Sequence, residues 1–258
     1  EYISVKGGVG DIACSDVNDW GKVTSTDPLT YTNPSPEIPN STTSNVWIRS
    51  GHDMTLDGNY SVGELNLESS ASLRNTTTTE HGIYINDYCL WNGIIGSPTD
   101  KIALSLDNSL TIEGTGSAHL LYFDQLVGSG GTININGPSL YFYNSNPIKN
   151  NRGSGNEITY QLESGILFFV GANSLTDTYV NYDFNGNTDN GTGKVVWNSN
   201  SIQSIYGSTT YNNLTLSGSG IKTAAGNITV FGKLLLDGTA TFNDGGYNLS
   251  YSTGTLEY

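Results

Sequence analysis

Between Asn45 and Leu73 the chain reads NVWIRSGHDMTLDGNYSVGELNLESSASL. Strand-like runs come in quick succession: Val46-Trp47-Ile48, Met54-Thr55-Leu56, Leu65-Asn66-Leu67 and Ser72-Leu73. Each is stopped by Gly, Asn, Asp or Ser, residues that suit tight turns. No run is long enough to build a hairpin core alone, and the pattern continues to the C-terminus. A chain punctuated this way buries its apolar residues by winding into coils, each stacked on the next.

Composition supports this. The 258 residues include 32 Gly, 29 Asn and 16 Tyr. Gly and Asn tolerate positive φ at turns, while Tyr, Val, Ile and Thr favour strands. Almost no stretch carries a helical apolar stripe with good helix formers, so the chain reads as all-β. Charged residues are only 13%, which excludes high-charge disorder. The spacing of runs suits a parallel β-solenoid with two or three strands per coil of about 20 residues. A pair of β-sandwiches is the alternative, because runs 8–12 residues apart fit that too.

Residues 1–44 differ. Pro28, Pro34, Pro36 and Pro39 cluster in DPLTYTNPSPEIPN. Such a segment is expected to be an irregular cap over the edge of the first coil. Residues 45–258 are expected to form the solenoid repeats. Inward core positions are predicted at Ile48, Leu56, Leu65, Leu67, Ile112, Ile135, Val196, Leu216 and Leu235.

The formal net charge is −14, with ten Lys and Arg. Nucleic acid is not expected as a partner, since phosphate binding needs clustered positive charge. No run of 18 apolar residues is present, so no helical span is predicted and membrane insertion is not expected. The chain opens at Glu1 without a signal peptide and reads as a mature, processed form. Cys14 and Cys89 either pair, closing a loop worth roughly 4 kcal/mol in the chain-entropy model, or are two buried thiols.

Two features invite a functional reading. Tyr122, Tyr141, Tyr160 and Tyr179 are equally spaced in the sequence, and Trp197 follows at almost the same interval. With a coil of that length they would stack along one face. The stack would serve as a packing ladder or as a platform for sugar rings; coincidence is the third reading in a Tyr-rich chain. Asp183, Asn185, Asn187 and Asp189 offer oxygens at alternate positions, like the first half of a calcium loop. Thr188 and Lys194 occupy positions where such a loop needs Gly and Glu, so a plain polar turn competes with a Ca²⁺ site.

Catalytic motifs are missing. His52, His81 and His119 are far apart in sequence, and no G-x-S-x-G elbow occurs. Glu64 with Glu68, and Asp53 with Asp57, are close in sequence, but that spacing does not set the separation a glycosidase needs. A lyase would need a base such as Lys194, Arg152 or Lys149, and no motif surrounds these. His52, in its Gly-His-Asp turn, is expected to make a structural hydrogen bond.

One resemblance bears on function. Trp20 in SDVNDWGK, then EIPN, Gly51-His52, Met54-Thr55-Leu56-Asp57-Gly58, Leu65-Asn66-Leu67 and Ala71-Ser72-Leu73 form an ordered series. It resembles the N-terminal region of large secreted surface proteins of Bacteroidota-type bacteria. The C-terminal YNNLTLSGSGIKTAAGNITVFGKLLLDG is similar to repeats common in them. The resemblance implies a right-handed parallel β-solenoid, type IX secretion and a surface or adhesin-like role, without catalytic residues. The sorting domain of that secretion class is not in the sequence, which reads as a fragment or processed product. The expectation is a secreted, cell-surface structural or adhesive module, a stalk, fibre subunit or adhesin. Its partners would be surface glycans or copies of itself. The alternative is a carbohydrate-binding or polysaccharide-cleaving β-helix.

Overall fold

Inward apolar residues alternate with outward ones along nearly every strand, as in Asn45–Ile48, where Val46 and Ile48 are buried and Trp47 faces out. A computed structural model describes residues 2–4, 8–13, 20–26, 29–32, 39–75, 80–107, 109–127, 131–150, 154–171, 173–185, 192–251 and 255–257. All its regular elements are strands, and they stack in parallel into a β-solenoid of about nine turns. The sandwich alternative fails on this pairing. Among the described strands, antiparallel pairing is confined to the N-terminal cap, where Trp20–Thr26 pairs with Tyr2–Ser4 and with Leu29–Thr32.

The cap also joins the coil. Tyr2–Ser4 lies parallel to Ser41–Ile48, and Gly8–Ala13 lies parallel to His52–Leu56. On the first face the outer edge is thereby covered by the antiparallel strand Trp20–Thr26, which ends the parallel stack there.

Each coil has up to three strand faces. On the first, one inward column runs through Tyr2, Val46, Leu65, Cys89, Ile112, Ile135 and Leu162. On the second, it runs through Met54, Leu73, Ile95, Ala118, Leu140, Leu167, Val195, Leu214 and Leu234. The third begins with Tyr60, Ile83 and Leu104. All of these are buried, and they form one continuous core.

The coil length is not constant. On the second face Met54 is in register with Leu73, Leu140 with Leu167, and Leu167 with Val195. The two later intervals are nearly half as long again as the first. The corner from the first face to the second does not lengthen, since Ile135 to Leu140 and Leu162 to Leu167 are equal in span; the extra residues lie in the rest of the coil. At Gly137 and Gly165, φ is +117° and +86°, and an added Cβ would overlap the backbone of the preceding coil, at the Gly114 and Pro138 carbonyl oxygens. Only Gly turns the chain there.

Where the other corners interrupt main-chain pairing, buried polar side chains take the carbonyls. Gln203 Nε2 donates to the Phe169 and Gly171 oxygens at 2.8 and 2.9 Å. Lys222 Nζ donates to the Ser199 and Gly220 oxygens at 2.7 and 2.9 Å. Asn173 Nδ2 donates to the Asn144 oxygen.

Two predicted inward positions are corrected. Val196, though largely covered, and Leu235 belong to the outward column of the second face, because their neighbours Val195, Trp197 and Leu234 fill the interior. A shift of one residue exchanges the two faces of a strand. The other seven predicted positions are in the core.

Candidate functional site

On the second face the strands present an outward column of rings. His119 pairs in register with Tyr141, and Tyr141 with Phe168. The rings stack face to face, His119 on Tyr141 at 4.5 Å and 10°, Tyr141 on Phe168 at 4.4 Å and 2°. At the N-terminal end of this stack, His119 Nδ1 shares a hydrogen bond of 2.7 Å with the Tyr143 hydroxyl. Lys101 Nζ sits 4.9 Å from the Tyr143 ring centroid. Burial, reinforced by Lys101, lowers the His119 pKa below its ordinary value.

A second aromatic column lies inside. Phe142, Phe169 and Trp197 stack at 5.4 and 4.4 Å, all fully buried. Both columns come from one recurring pattern: Ser117-Ala118-His119-Leu120, Ser139-Leu140-Tyr141-Phe142, Ile166-Leu167-Phe168-Phe169, Lys194-Val195-Val196-Trp197 and Asn213-Leu214-Thr215-Leu216. Aligning these tetrads would have revealed the register; a search for equal spacing does not, because the stretches between them differ in length.

The predicted stack of equally spaced aromatics is therefore corrected. Its members do not form one column. Tyr122 is half-buried and in register with Ala103, on the third face. Tyr141 is outward on the second face. Tyr160 is buried on the first, in register with Ile133. Tyr179 is exposed in a turn, and Trp197 is inside the second face. The coils that run from Ala118 to Leu140, Leu167 and Val195 are all longer than the interval of the series, which carries successive members around the coil. As a sugar platform the outward stack has a geometric handicap: neighbouring rings cover one another's faces and leave mainly their edges to solvent.

The disulfide reading of Cys14 and Cys89 is corrected as well. Cys89 is a free, wholly buried thiol between Leu65 and Ile112. It fills an apolar position in the first-face column. Burial, with the charge of Glu64, pushes its pKa well above the ordinary value. Cys14 lies outside the described residues.

Of the calcium candidates, Asp183 and Asn185 are described, and Asn187 and Asp189 lie outside the described residues. Asp183 Oδ2 accepts from Gln161 Nε2 at 2.8 Å, and Oδ1 accepts from the Asn185 N–H at 3.1 Å. Both oxygens thus serve protein donors, as in a polar turn. Among the described residues no group of three or more His, Cys, Asp or Glu is placed to hold a metal ion.

The carboxylates singled out by sequence are spread over strands and the loops that follow them. Glu68 Oε2 accepts the Ser50 N–H at 2.8 Å, and Asp57 Oδ1 accepts the Tyr60 hydroxyl at 2.6 Å. Asp53 accepts from Ser72 and pairs with Arg74 at 2.7 Å. Glu64 is different. On the outer first face it is in register with Tyr88, whose hydroxyl donates to Glu113 Oε2 at 2.7 Å. That bond, burial and the two carboxylates push the Tyr88 pKa up to about 12. Sequence reasoning missed this group because Glu64 and Glu113 belong to different coils.

Lys194 is exposed on the second face, Lys149 lies over Tyr122, and Arg152 is outside the described residues. His52 Nδ1 is 2.7 Å from Ser4 Oγ, which also accepts the Arg49 N–H at 2.9 Å. Ser4 is fully buried, so this pair fastens the cap to the coil and exposes no nucleophile.

Fold and surface together define a parallel β-solenoid with a polar first face and an aromatic second face. Comparison with protein-family models, with curated proteins and with solved structures gives no match.

Proposed function

We propose that the chain is a non-catalytic structural and adhesive module presented outside the cell. The observation that carries this reading is the unbroken second face. Eleven strands, from Gly8–Ala13 to Thr255–Glu257, follow one another in parallel register. At the inter-strand spacing of a sheet they span roughly 48 Å. Each coil packs only on its neighbours, and stacked columns resist bending, so the product is a stiff spacer. The half-buried aromatic column and the polar sides supply contact surface along it.

The test is adhesion of beads coated with the purified chain to glycan-bearing surfaces, run beside a reducing-end assay on soluble polysaccharides. Bead capture without turnover supports the module. Saccharide turnover overturns it in favour of a polysaccharide-cleaving β-helix. The observation favouring that second reading is the Glu64, Tyr88 and Glu113 group on the first face, and loss of turnover in Glu113→Gln would assign it there.

A further inference from the structure

The third face carries a cleft of about 360 Å³, within the size range of small-ligand sites. Its floor is made of Gly82, Ala103 and Ser105, on two adjacent strands. Tyr84, in register with Ser105, stands on the same strand as Gly82, with Ser61 in register on its other side, and Tyr122, in register with Ala103, stands on the strand beyond Ala103 and Ser105. The two tyrosines stand on strands separated by one intervening strand, about 9.5 Å across, and are offset by two residues along it, about 6.7 Å, so their backbones lie about 12 Å apart on a diagonal. Carbon atoms touch at about 3.5–4.0 Å, so that interval admits one saturated ring over the small-residue floor.

We propose that this cleft binds a single neutral pyranose unit of a glycan. Three features select that chemistry. The small-residue floor and the two diagonal tyrosines offer apolar contact to ring C–H groups. Ser61, Ser105, Asn59 and Glu80 line the same cleft and match a ring bearing several hydroxyls. Asn59 is oriented by the Gly82 N–H, which donates to its Oδ1 at 2.8 Å, leaving the NH₂ as a donor. Lys149, on the strand beyond that of Tyr122, holds its Nζ over the Tyr122 ring, 5.3 Å from the centroid. The ammonium thus backs the tyrosine and steadies its position. Glu80 in the cleft and the chain's net charge of −14 disfavour uronates and sulfated sugars.

This proposal deepens the adhesive reading and rests on it only in taking glycans as the ligand class. The test is saturation-transfer NMR on the full chain. The probes are neutral hexoses and N-acetylhexosamines, their short oligomers, and the matching uronates. We expect transfer to ring protons of at least one neutral probe and binding of its uronate at least about tenfold weaker, a difference of roughly 1.4 kcal/mol. Tyr122→Ala should weaken the neutral probe by about the same factor, and Ser105→Trp, which fills the cleft, should abolish transfer. Both variants should keep the parent circular dichroism spectrum. No transfer from any neutral probe overturns the proposal. So does equal binding of uronates, or transfer that survives in both variants. Bead adhesion that persists without transfer would remove the cleft and leave the adhesive module standing.

Discussion

Replacing Trp197 and Tyr179 separately by Ala discriminates between stacking along one face and the observed coil. A ladder built from the equally spaced series would place both side chains in the same stack and make their losses similar. The structure separates them. Trp197 is fully buried and stacks on Phe169 at 4.4 Å and 20°. Tyr179 is 37% exposed in a turn, and its backbone carbonyl, which accepts from Ile158, survives truncation. Removing a buried Trp costs about 3–5 kcal/mol, including the cavity it leaves. A surface truncation costs about 0.5 kcal/mol or less. For a chain of this size each kcal/mol shifts Tm by about 2–4 °C, so Trp197→Ala should melt about 6–20 °C lower. Urea melts followed by far-ultraviolet circular dichroism measure the difference without relying on Trp fluorescence. Hydrogen exchange should quicken first in Ile158–Phe169 and Asn213–Ser217, the strands on either side of Lys194–Asn198. A loss of less than about 1 kcal/mol in Trp197→Ala, or an equal loss in Tyr179→Ala, would contradict this placement of the two side chains.

Three further outcomes are expected. In a Cys14→Ser background, Cys89 should resist a thiol reagent in the native protein and react fully in urea, because its thiol is buried and its pKa raised; native-state labelling at the rate of a free thiol would contradict its place in the core. Lys222→Met should lower stability by about 1–3 kcal/mol, since the Gly220 carbonyl loses its buried donor while Ser199 keeps the Gly220 N–H; denaturant melts read this, and an unchanged midpoint would contradict it. His119 has a folded pKa below 6.5, so the unfolded chain binds more protons just below that pH and stability falls as the solution is acidified. His119→Gln should flatten that part of the stability profile between about pH 6.5 and 5.

Much of the architecture is legible in the residues. Short runs such as Met54-Thr55-Leu56 and Leu65-Asn66-Leu67 alternate inward and outward, and that alternation is a local property of extended chain. Ile48, Leu56, Leu65 and Leu67 accordingly point into the core as read. Val196 and Leu235 do not, because Lys194–Asn198 and Lys233–Leu236 begin with an outward Lys and contain apolar residues on both faces. An apolar run with no alternation leaves its register open until the neighbouring coils are in place.

The surface groups were less legible. Glu64, Tyr88 and Glu113 meet across coils, as do Tyr84 and Tyr122 across the floor of their cleft. Their separations in sequence depend on how many residues each coil consumes, and nothing local sets that number.

That the chain alternates strand and turn, and must bury its apolar faces by repetition, is written in its residues. Backbone propensity and side-chain alternation act within a few residues, so both can be read from the letters alone. Only the tertiary structure decided which residues share a column. Coil length, Gly conformations such as those at Gly137 and Gly165, and ring stacking between coils jointly set each coil's register. These are contacts between segments a whole coil apart, and the coil from Met54 to Leu73 is much shorter than the one from Leu167 to Val195. Coils longer than the interval of the series carry Tyr122, Tyr141 and Tyr160 onto three different faces and Tyr179 into a turn.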